Sequence, residues 1–343
     1  MKRIFPIFAV LMLAATGCGS DGSSPDVFGS NAPVESVQPA LTAPPTTSLQ
    51  KLTYKLGPFE LPAGTSPQAM RDLPASIKFQ TEDPLWFTAF ESRIENAEGG
   101  ELSTSLLHMA TVSNESEQNP LCTDNQVANP FVVVTGNTTS IELPIGVGYA
   151  ILPEDQLNAR VILQNPTLQD YKNVYFVFTM TAVSMKSAKN MQDVYPLLLD
   201  VNPCNHNPIT VAPNEFTKKE STFTIPENGL LTKAYGLLQD YGVEVSLTAK
   251  DQPTPFWIAQ AELSEKHEVI EILPFEDPAG IPLNEGDSLS LSVAYDNSND
   301  SWLSEATGAA MVYMTRTGEK KKDTITTEDL GADLTKAQMM ILK

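Results

Sequence analysis

Residues 225–247 read Ile-Pro-Glu-Asn-Gly-Leu-Leu-Thr-Lys-Ala-Tyr-Gly-Leu-Leu-Gln-Asp-Tyr-Gly-Val-Glu-Val-Ser-Leu, and this stretch decides the fold. Its last part alternates apolar and polar residues over 243–247 after an Asp-Tyr-Gly turn, which is typical of a half-buried β-strand. Similar strand-length runs, separated by Pro, Gly and Asn or Asp, recur from about Leu52 onward. They lie at 131–134, 148–152, 160–163, 174–180, 222–225 and 288–295. Many short strands between turns predict an all-β protein of β-sandwich architecture.

The same stretch resembles the second-domain copper segment of the type II, ascorbate-dependent copper monooxygenases. This family includes peptidylglycine α-hydroxylating monooxygenase and dopamine β-hydroxylase, and its segment is a strand with a His-x-His pair between a Gly and an Asp-aromatic-Gly. Here Gly236 and the run 240–242 match the frame, but Leu237 and Gln239 occupy the histidine positions. The resemblance implies two tandem β-sandwich (jelly-roll-like) domains. We place them at 51–205 and 206–318, with the boundary in the Pro- and Asn-rich stretch 202–208.

The first domain of the family binds copper through three imidazoles. Its His-His-Met element is resembled by Leu-Leu-His-Met at 106–109, where Leu107 replaces the first histidine and His108 is kept. The segment of the third histidine resembles 161–167, with Leu163 or Pro166 at the ligand position, depending on the register. On this resemblance His108 is a vestigial metal ligand, and Leu107 and Leu163 are degenerate ligand positions.

The second copper site of the family adds a methionine thioether to two imidazoles. Its segment resembles 304–314, where Glu305 and Gly308 fit the frame and Thr307 stands at the methionine position. A slip of four residues would offer Met311 instead. The run 285–298 also matches the frame. The whole chain has 3 histidines, His108, His206 and His267, so it cannot supply the five imidazoles of the family.

The N-terminus predicts export and a lipid anchor. A basic start and a short apolar run at 4–15 lead to Ala-Thr-Gly-Cys at 15–18, which resembles a bacterial lipobox. We expect a lipoprotein signal peptide at 1–17, lipidation of Cys18 and a disordered tether at 18–50, which is poor in large apolar residues. The alternative is an ordinary signal peptide cut near Gly17. Gly19 follows the cysteine where Asp would favour retention at the inner membrane, so the resemblance favours an outer-membrane lipoprotein.

Composition limits the partners and the redox state. The net charge of -20 argues against binding to nucleic acid, which requires clustered Lys and Arg. Residues 319–343 form a polar, Lys-containing tail. In an oxidising compartment Cys122 and Cys204 are expected to form a disulfide, the alternative being two buried free thiols.

Three functions are compatible with these observations. The leading hypothesis is a lipid-anchored, non-catalytic protein with a copper-monooxygenase frame, no cofactor, the membrane as a partner through its lipid, and an unknown protein or small-molecule ligand. The second is an active copper monooxygenase with a rearranged ligand set that recruits His206 or His267. The third is an unrelated surface-binding β-sandwich lipoprotein that uses exposed aromatics such as Trp86, Trp257 and Trp302. A cleft lined by Leu237, Gln239 and Thr307 would favour the first hypothesis.

Overall fold

A computed structural model describes residues 49–71, 75–122, 127–204, 209–250 and 252–317. Most of these residues are in strands; the structure also contains a 3-10 turn (Thr104–Leu106) and a short helix, α1 (Pro67–Arg71). The predicted all-β class with β-sandwich architecture is therefore confirmed. The predicted signal peptide, Cys18, His206, the tail at 319–343 and the predicted tether up to residue 48 lie outside the described residues. Among the described helices, none is long and apolar enough to cross a membrane.

Eleven strands precede the boundary predicted at 202–208. They are β1 (Leu49–Leu61), β2 (Ser76–Phe79), β3 (Leu85–Glu95), β4 (Glu101–Leu102), β5 (Leu107–Gln118), β6 (Ala128–Val134), β7 (Ser140–Glu142), β8 (Val147–Ile151), β9 (Leu157–Leu163), β10 (Tyr171–Ser184) and β11 (Gln192–Asp200). The first sandwich packs the sheet β1-β10-β3-β8, with β4 and β7 paired to β3, against the sheet β2-β9-β5-β6. Strands β5 and β9 turn alternate residues into the core between the sheets and the remaining ones away from it.

The strands after the predicted boundary build most of the second sandwich. They are β12 (Ile209–Val211), β13 (Glu215–Thr224), β14 (Gly229–Leu238), β15 (Gly242–Ala249), β16 (Trp257–Gln260), β17 (Glu262–Leu263), β18 (Val269–Glu271), β19 (Phe275–Leu283), β20 (Ser288–Asn297), β21 (Leu303–Ala306) and β22 (Gly308–Arg316). Here the sheet β11-β22-β14-β19 packs against β13-β20-β15-β16. Two short pairs, β12-β21 and β17-β18, complete the fold.

Strand β11 joins the two sandwiches. It pairs with β22 from Val194 to Asp200, but with β8 only at Gln192 and Asp193. By its hydrogen bonds, this strand belongs to the second sandwich although it precedes the boundary predicted at 202–208.

The sheet that contains β14 and β22 is buried on both faces. Leu237 and Met311 pack into the core of the first sandwich, whereas Leu238 and Val312 pack into the core of the second. The two sandwiches therefore share one packed sheet, and a cleft at the end of this sheet is lined by residues of both.

The predicted disulfide between Cys122 and Cys204 is confirmed, with a Cα–Cα distance of 5.2 Å. The alternative of two free thiols is wrong. The bond connects the segment after β5 to the segment after β11 across 82 residues of sequence. Closing a loop of this length removes unfolded-state entropy worth about 4 kcal/mol in the chain-entropy estimate.

Candidate functional site

The turn between β14 and β15 adopts the backbone conformation that its Asp-Tyr-Gly sequence favours. Tyr241 adopts a left-handed conformation with φ 66°. The Val269 amide donates to Asp240 Oδ1 at 3.3 Å, which attaches the turn to β18. A Cβ on Gly242 would lie 2.8 Å from Leu238 Cβ, closer than real side chains approach. The Asp-Tyr-Gly motif is thus explained by the geometry of the turn itself.

The ligand positions matched in the first domain lie side by side. Leu107 of β5 pairs directly with Leu163 of β9, and both are buried in the core of the first sandwich. The register shifts between Leu107 and Met109, and this bulge leaves both His108 and Met109 lining the cleft. Pro166, the ligand position in the other register, follows β9 and is exposed. His108 is almost completely buried, at 3% exposure.

The residues at the ligand positions matched in the second domain lie close to His108 of the first domain. Leu237 and Thr307 line the cleft, whereas Gln239 donates from Nε2 to the His108 carbonyl at 3.0 Å. The buried Tyr295 hydroxyl accepts a hydrogen bond from the backbone N–H of Gln239 at 3.1 Å and donates one to the Thr307 carbonyl. Burial raises the pKa of Tyr295, so this phenol remains a hydrogen-bond donor at neutral pH.

The cleft has a volume of about 430 Å³. It lies between the face of the sheet β2-β9-β5-β6 that is turned away from the core and the neighbouring ends of β11, β14 and β22. Its apolar lining side chains are Met109, Val127, Ala128, Pro130, Val133, Ile162, Leu198, Leu237, Ala306 and Ala309. Among the described residues, no Phe, Tyr or Trp side chain lines it. The size and the lining are those of a small-molecule site.

Polar residues occupy one wall of the cleft in cross-strand pairs. Thr111 of β5 lies opposite Arg160 of β9, and Ser113 lies opposite Asn158. Sequence reasoning missed all four. The available signal was the alternation in β9, where Asn158 and Arg160 interrupt an otherwise apolar strand. To predict that these four residues line a cleft, one would also have to know that the second sandwich covers the outward face of the sheet β2-β9-β5-β6.

Two carboxylates also line the cleft, and both accept hydrogen bonds. The Lys78 ammonium donates to Glu115 Oε2 at 2.7 Å and holds the pKa of Glu115 below its usual value. The Asn158 amide donates to the other Glu115 oxygen at 2.8 Å. On the opposite wall, Asp200 Oδ1 accepts from the Asn202 amide at 2.9 Å.

A second group of charges lies where β5, β11 and β22 come together. Arg316 donates to Asp193 and, from Nε, to Glu227 Oε2 at 3.0 Å. Burial disfavours its charge, but the attraction of these carboxylates outweighs this and raises the pKa of Arg316. Glu117 is exposed as a residue, yet its Oε2 accepts from the buried Tyr149 hydroxyl at 3.0 Å. Burial of the carboxyl raises the pKa of Glu117, against that hydrogen bond.

The remaining predicted residues do not join the cleft. Met311 is buried in the first core, and the His267 ring stacks on Tyr241 at 5.1 Å and shares a hydrogen bond with Ser298. Within the described part of the chain, no group of three or more His, Cys, Asp or Glu side chains could hold a metal.

The aromatic strip of the third hypothesis is not formed by the three tryptophans. Trp257 is buried in the second core, Trp86 is half-buried, and Trp302 is exposed at 65%. The exposure expected for Trp257 was wrong because its side chain packs into the core of the second sandwich.

Comparison with known proteins gives only a distant structural likeness. No family model matches the chain, and no curated protein matches it. Among solved structures, PNGase F, a glycosylasparaginase from Flavobacterium meningosepticum, is 9% identical over 78% of this chain and 97% of its own, with a TM-score of 0.38. A structure of Sulfolobus turreted icosahedral virus is 8% identical over 78% of this chain and 90% of its own, with a TM-score of 0.33. Likeness at this level carries no argument about function.

Proposed function

We propose that this chain is a lipid-anchored protein of the bacterial cell envelope that keeps a copper-monooxygenase frame and binds a small ligand in the cleft without copper chemistry. The observation that carries the proposal is the position of three matched residues. His108 lies in β5 of the first sandwich, Leu237 lies in β14 of the second, and Thr307 lies between β21 and β22, yet all three line the same cleft. Leu107 and Leu163 pair beside His108, and Gln239 bonds to its carbonyl.

The donor set does not fit the copper sites of the family. Copper cycling between Cu(I) and Cu(II) is supported by imidazole and thioether ligands. Leucine offers no donor atom at 107, 163 and 237, and Thr307 and Gln239 offer only oxygen or amide groups. Among the six matched positions His108 alone carries an imidazole, and a single imidazole is too few for a tightly held ion. The cleft has a volume of about 430 Å³ and a largely apolar lining, which suit a binding protein.

The first test is copper loading of the purified, full-length protein. After incubation with excess copper and gel filtration, we expect elemental analysis to find no more metal than in a matched His108→Ala variant. Ascorbate should not drive oxygen uptake with peptide or phenylethylamine substrates, because neither copper site has its ligands. Two tightly held copper ions per chain, or substrate-dependent oxygen uptake, would overturn the proposal in favour of an enzyme with another ligand set.

The second test concerns the anchor. Cells fed a clickable palmitate should label the protein, and Cys18→Ser should abolish the label because the acylated sulfur is lost. The wild-type protein should fractionate with the outer membrane and the variant should not. Labelling that persists in the variant would contradict anchoring at Cys18.

A further inference from the structure

We propose that the Cys122–Cys204 disulfide is a redox-sensitive clamp on the cleft, and that its reduction opens the cleft while both sandwiches stay folded. The bond connects two segments that line the cleft from opposite sides. The clamp goes beyond the proposed function, because it concerns the shape of the cleft and operates whatever the cleft binds. The two sandwiches, compared with each other, indicate that their fold does not require this bond.

The two sandwiches repeat one plan strand for strand. The sheet β2-β9-β5-β6 of the first and the sheet β13-β20-β15-β16 of the second have equivalent strands in the same order, and all their pairs are antiparallel. The register shifts between Leu107 and Met109 in β5, and between Gly242 and Glu244 at the matching place in β15. A segment that one sandwich has and the other lacks is therefore an addition to the shared plan.

A buried asparagine holds a loop of each sandwich in the same way. Asn165 and Asn297 are both almost fully buried. Each donates from Nδ2 to two consecutive carbonyls at the end of β1 or β12, and to the carbonyl four residues after itself. The repeat thus extends to the side-chain hydrogen bonds, and neither of these arrangements involves a cysteine.

Cys122 lies on an addition to the first sandwich. It belongs to the hairpin between the paired residues Val112 and Val132. The matching hairpin of the second sandwich runs between the paired residues Leu247 and Trp257 and is shorter. The longer hairpin supplies Asn119, Val127 and Ala128 to the lining of the cleft.

Cys204 lies on an addition to the second sandwich. In the first sandwich β1 runs directly from Lys55 to Phe59, whereas the matching path of the second, from Asp200 to Ile209, is longer and carries Cys204. The disulfide therefore joins two additions from different sandwiches. Such a bond fixes the additions relative to each other and forms neither sandwich.

Each addition connects its cysteine closely to the lining of the cleft. Asn119, which lines the cleft at 2% exposure, accepts from the Cys122 N–H at its backbone carbonyl, at 3.1 Å. On the opposite wall Asp200 lines the cleft, and its Oδ1 accepts from the Asn202 N–H at 2.9 Å, shortly before Cys204. The disulfide brings the two cysteines to a Cα–Cα distance of 5.2 Å and so limits how far the walls can separate.

Other contacts keep the sandwiches joined when the disulfide is broken. The Tyr313 hydroxyl donates to the Phe131 carbonyl at 2.9 Å, and Asn137 donates from Nδ2 to the Leu238 carbonyl at 2.8 Å. The shared sheet also packs into both cores. A dithiol that reduces the bond supplies two electrons and two protons, so that two cysteine thiols form and the dithiol becomes a disulfide. We therefore expect reduction to open the cleft and leave both cores closed.

The experiment places a reporter thiol on each face of one strand in the full-length protein. Ala309 lines the cleft at 2% exposure, and the next residue, Ala310, packs into the core of the second sandwich. Ala309→Cys and Ala310→Cys are each made with the disulfide intact and in a Cys122→Ser/Cys204→Ser background. Reaction of each reporter with N-ethylmaleimide is followed by mass spectrometry of the peptide that carries it.

We expect loss of the disulfide to speed modification at position 309 by about tenfold, because the wall of the cleft opens locally. Position 310 should stay protected, because the core remains closed. Equal rates at position 309 with and without the disulfide overturn the clamp. A parallel rise at position 310 also overturns it, because the bond then supports the fold as a whole. Neither result involves copper or a ligand, so either leaves the proposed function standing.

Hydrogen exchange of the unaltered sequence provides a second measurement that does not depend on the folding of a variant. Treatment with dithiothreitol should speed exchange of the backbone amides at 119–122 and 200–204 and leave those of β15 and β20 protected. Unchanged exchange in the two segments, or an equal loss of protection in β15 and β20, would overturn the clamp.

Discussion

A triple variant with Leu237→His, Gln239→His and Thr307→Met should retain about one copper ion per chain after gel filtration, whereas the parent retains none. The three substitutions introduce two imidazoles and a thioether at the positions that resemble one copper site of the family. Leu237 and Thr307 already line one cleft, and the Tyr295 hydroxyl bonds to the Gln239 amide and the Thr307 carbonyl. The backbone around the three positions is therefore fixed before the metal arrives.

The variant has a cost that copper should offset. Leu237 is fully buried, so an unliganded imidazole there destabilises the fold, and loss of Gln239 removes the hydrogen bond to the His108 carbonyl. A metal that binds only the folded state returns stability by mass action. We therefore expect the melting temperature of the variant to fall below that of the parent without copper and to rise on copper addition, while the parent does not respond.

The double variant Leu237→His/Gln239→His is the matched control. If the four-residue slip were correct, the existing Met311 would complete the site and the double variant would bind as tightly as the triple. Because Met311 packs in the core of the first sandwich and does not line the cleft, we expect the double variant to bind copper more weakly. A folded triple variant that retains no copper would contradict the resemblance on which the frame rests.

The fold class was predictable because alternation and turn residues are local properties. The sequence pattern around Gly242 identifies a turn, and the structure supplies its reason in the close approach of Leu238. Glycine is required at position 236 for a different reason, which cannot be read from the neighbouring sequence. A Cβ there would lie 2.6 Å from Val245 Cγ1, so the glycine is needed for the two sheets of the second sandwich to pack.

The cleft was only partly predictable because it depends on contacts distant in sequence. The resemblance identified Leu237 and Thr307, and both line the cleft, but it placed Gln239 among the lining residues, whereas its side chain bonds to His108. Arg160 was missed because its place in the cleft depends on the second sandwich covering an outward face of the first. The membership of β11 likewise depends on its pairing with β22, which local propensity does not encode.

Arg316→Met should lower the free energy of unfolding by about 2–3 kcal/mol at pH 7. Arg316 bonds to Asp193 and Glu227, whose side chains are 10% and 18% exposed, and its guanidinium lies 5.2 Å from the Tyr195 ring centroid. Methionine keeps much of the packing but leaves the two carboxylates without their cation. The estimate is set below that of a fully buried pair because the Arg316 side chain is itself 30% exposed.

The control is Lys186→Met, which breaks an ion pair with Asp83 at 3.0 Å in which both side chains are 61% exposed. Solvent already screens that pair, so its loss should cost less than about 0.5 kcal/mol. Urea unfolding of wild type and both variants under the same conditions measures the difference. Equal costs for the two substitutions would show that the group around Arg316 carries no special share of the stability.

The Arg316→Met deficit should shrink as the pH falls. Burial raises the pKa of Glu117 and the charge of Arg316 lowers it, so loss of Arg316 raises that pKa further. A carboxyl whose folded-state pKa is raised destabilises the fold when it is ionised, and this penalty is present above the folded pKa and is lost as the pH falls through it. Protonated Glu117 needs no cation, so the variant recovers relative to wild type on acidification. Unfolding measured at pH 7 and near pH 4.5 should give a smaller difference at the lower pH. In a Glu117→Gln background, which removes this titrating group, the change with pH should be smaller. A deficit that grows on acidification would contradict an electrostatic role for Arg316.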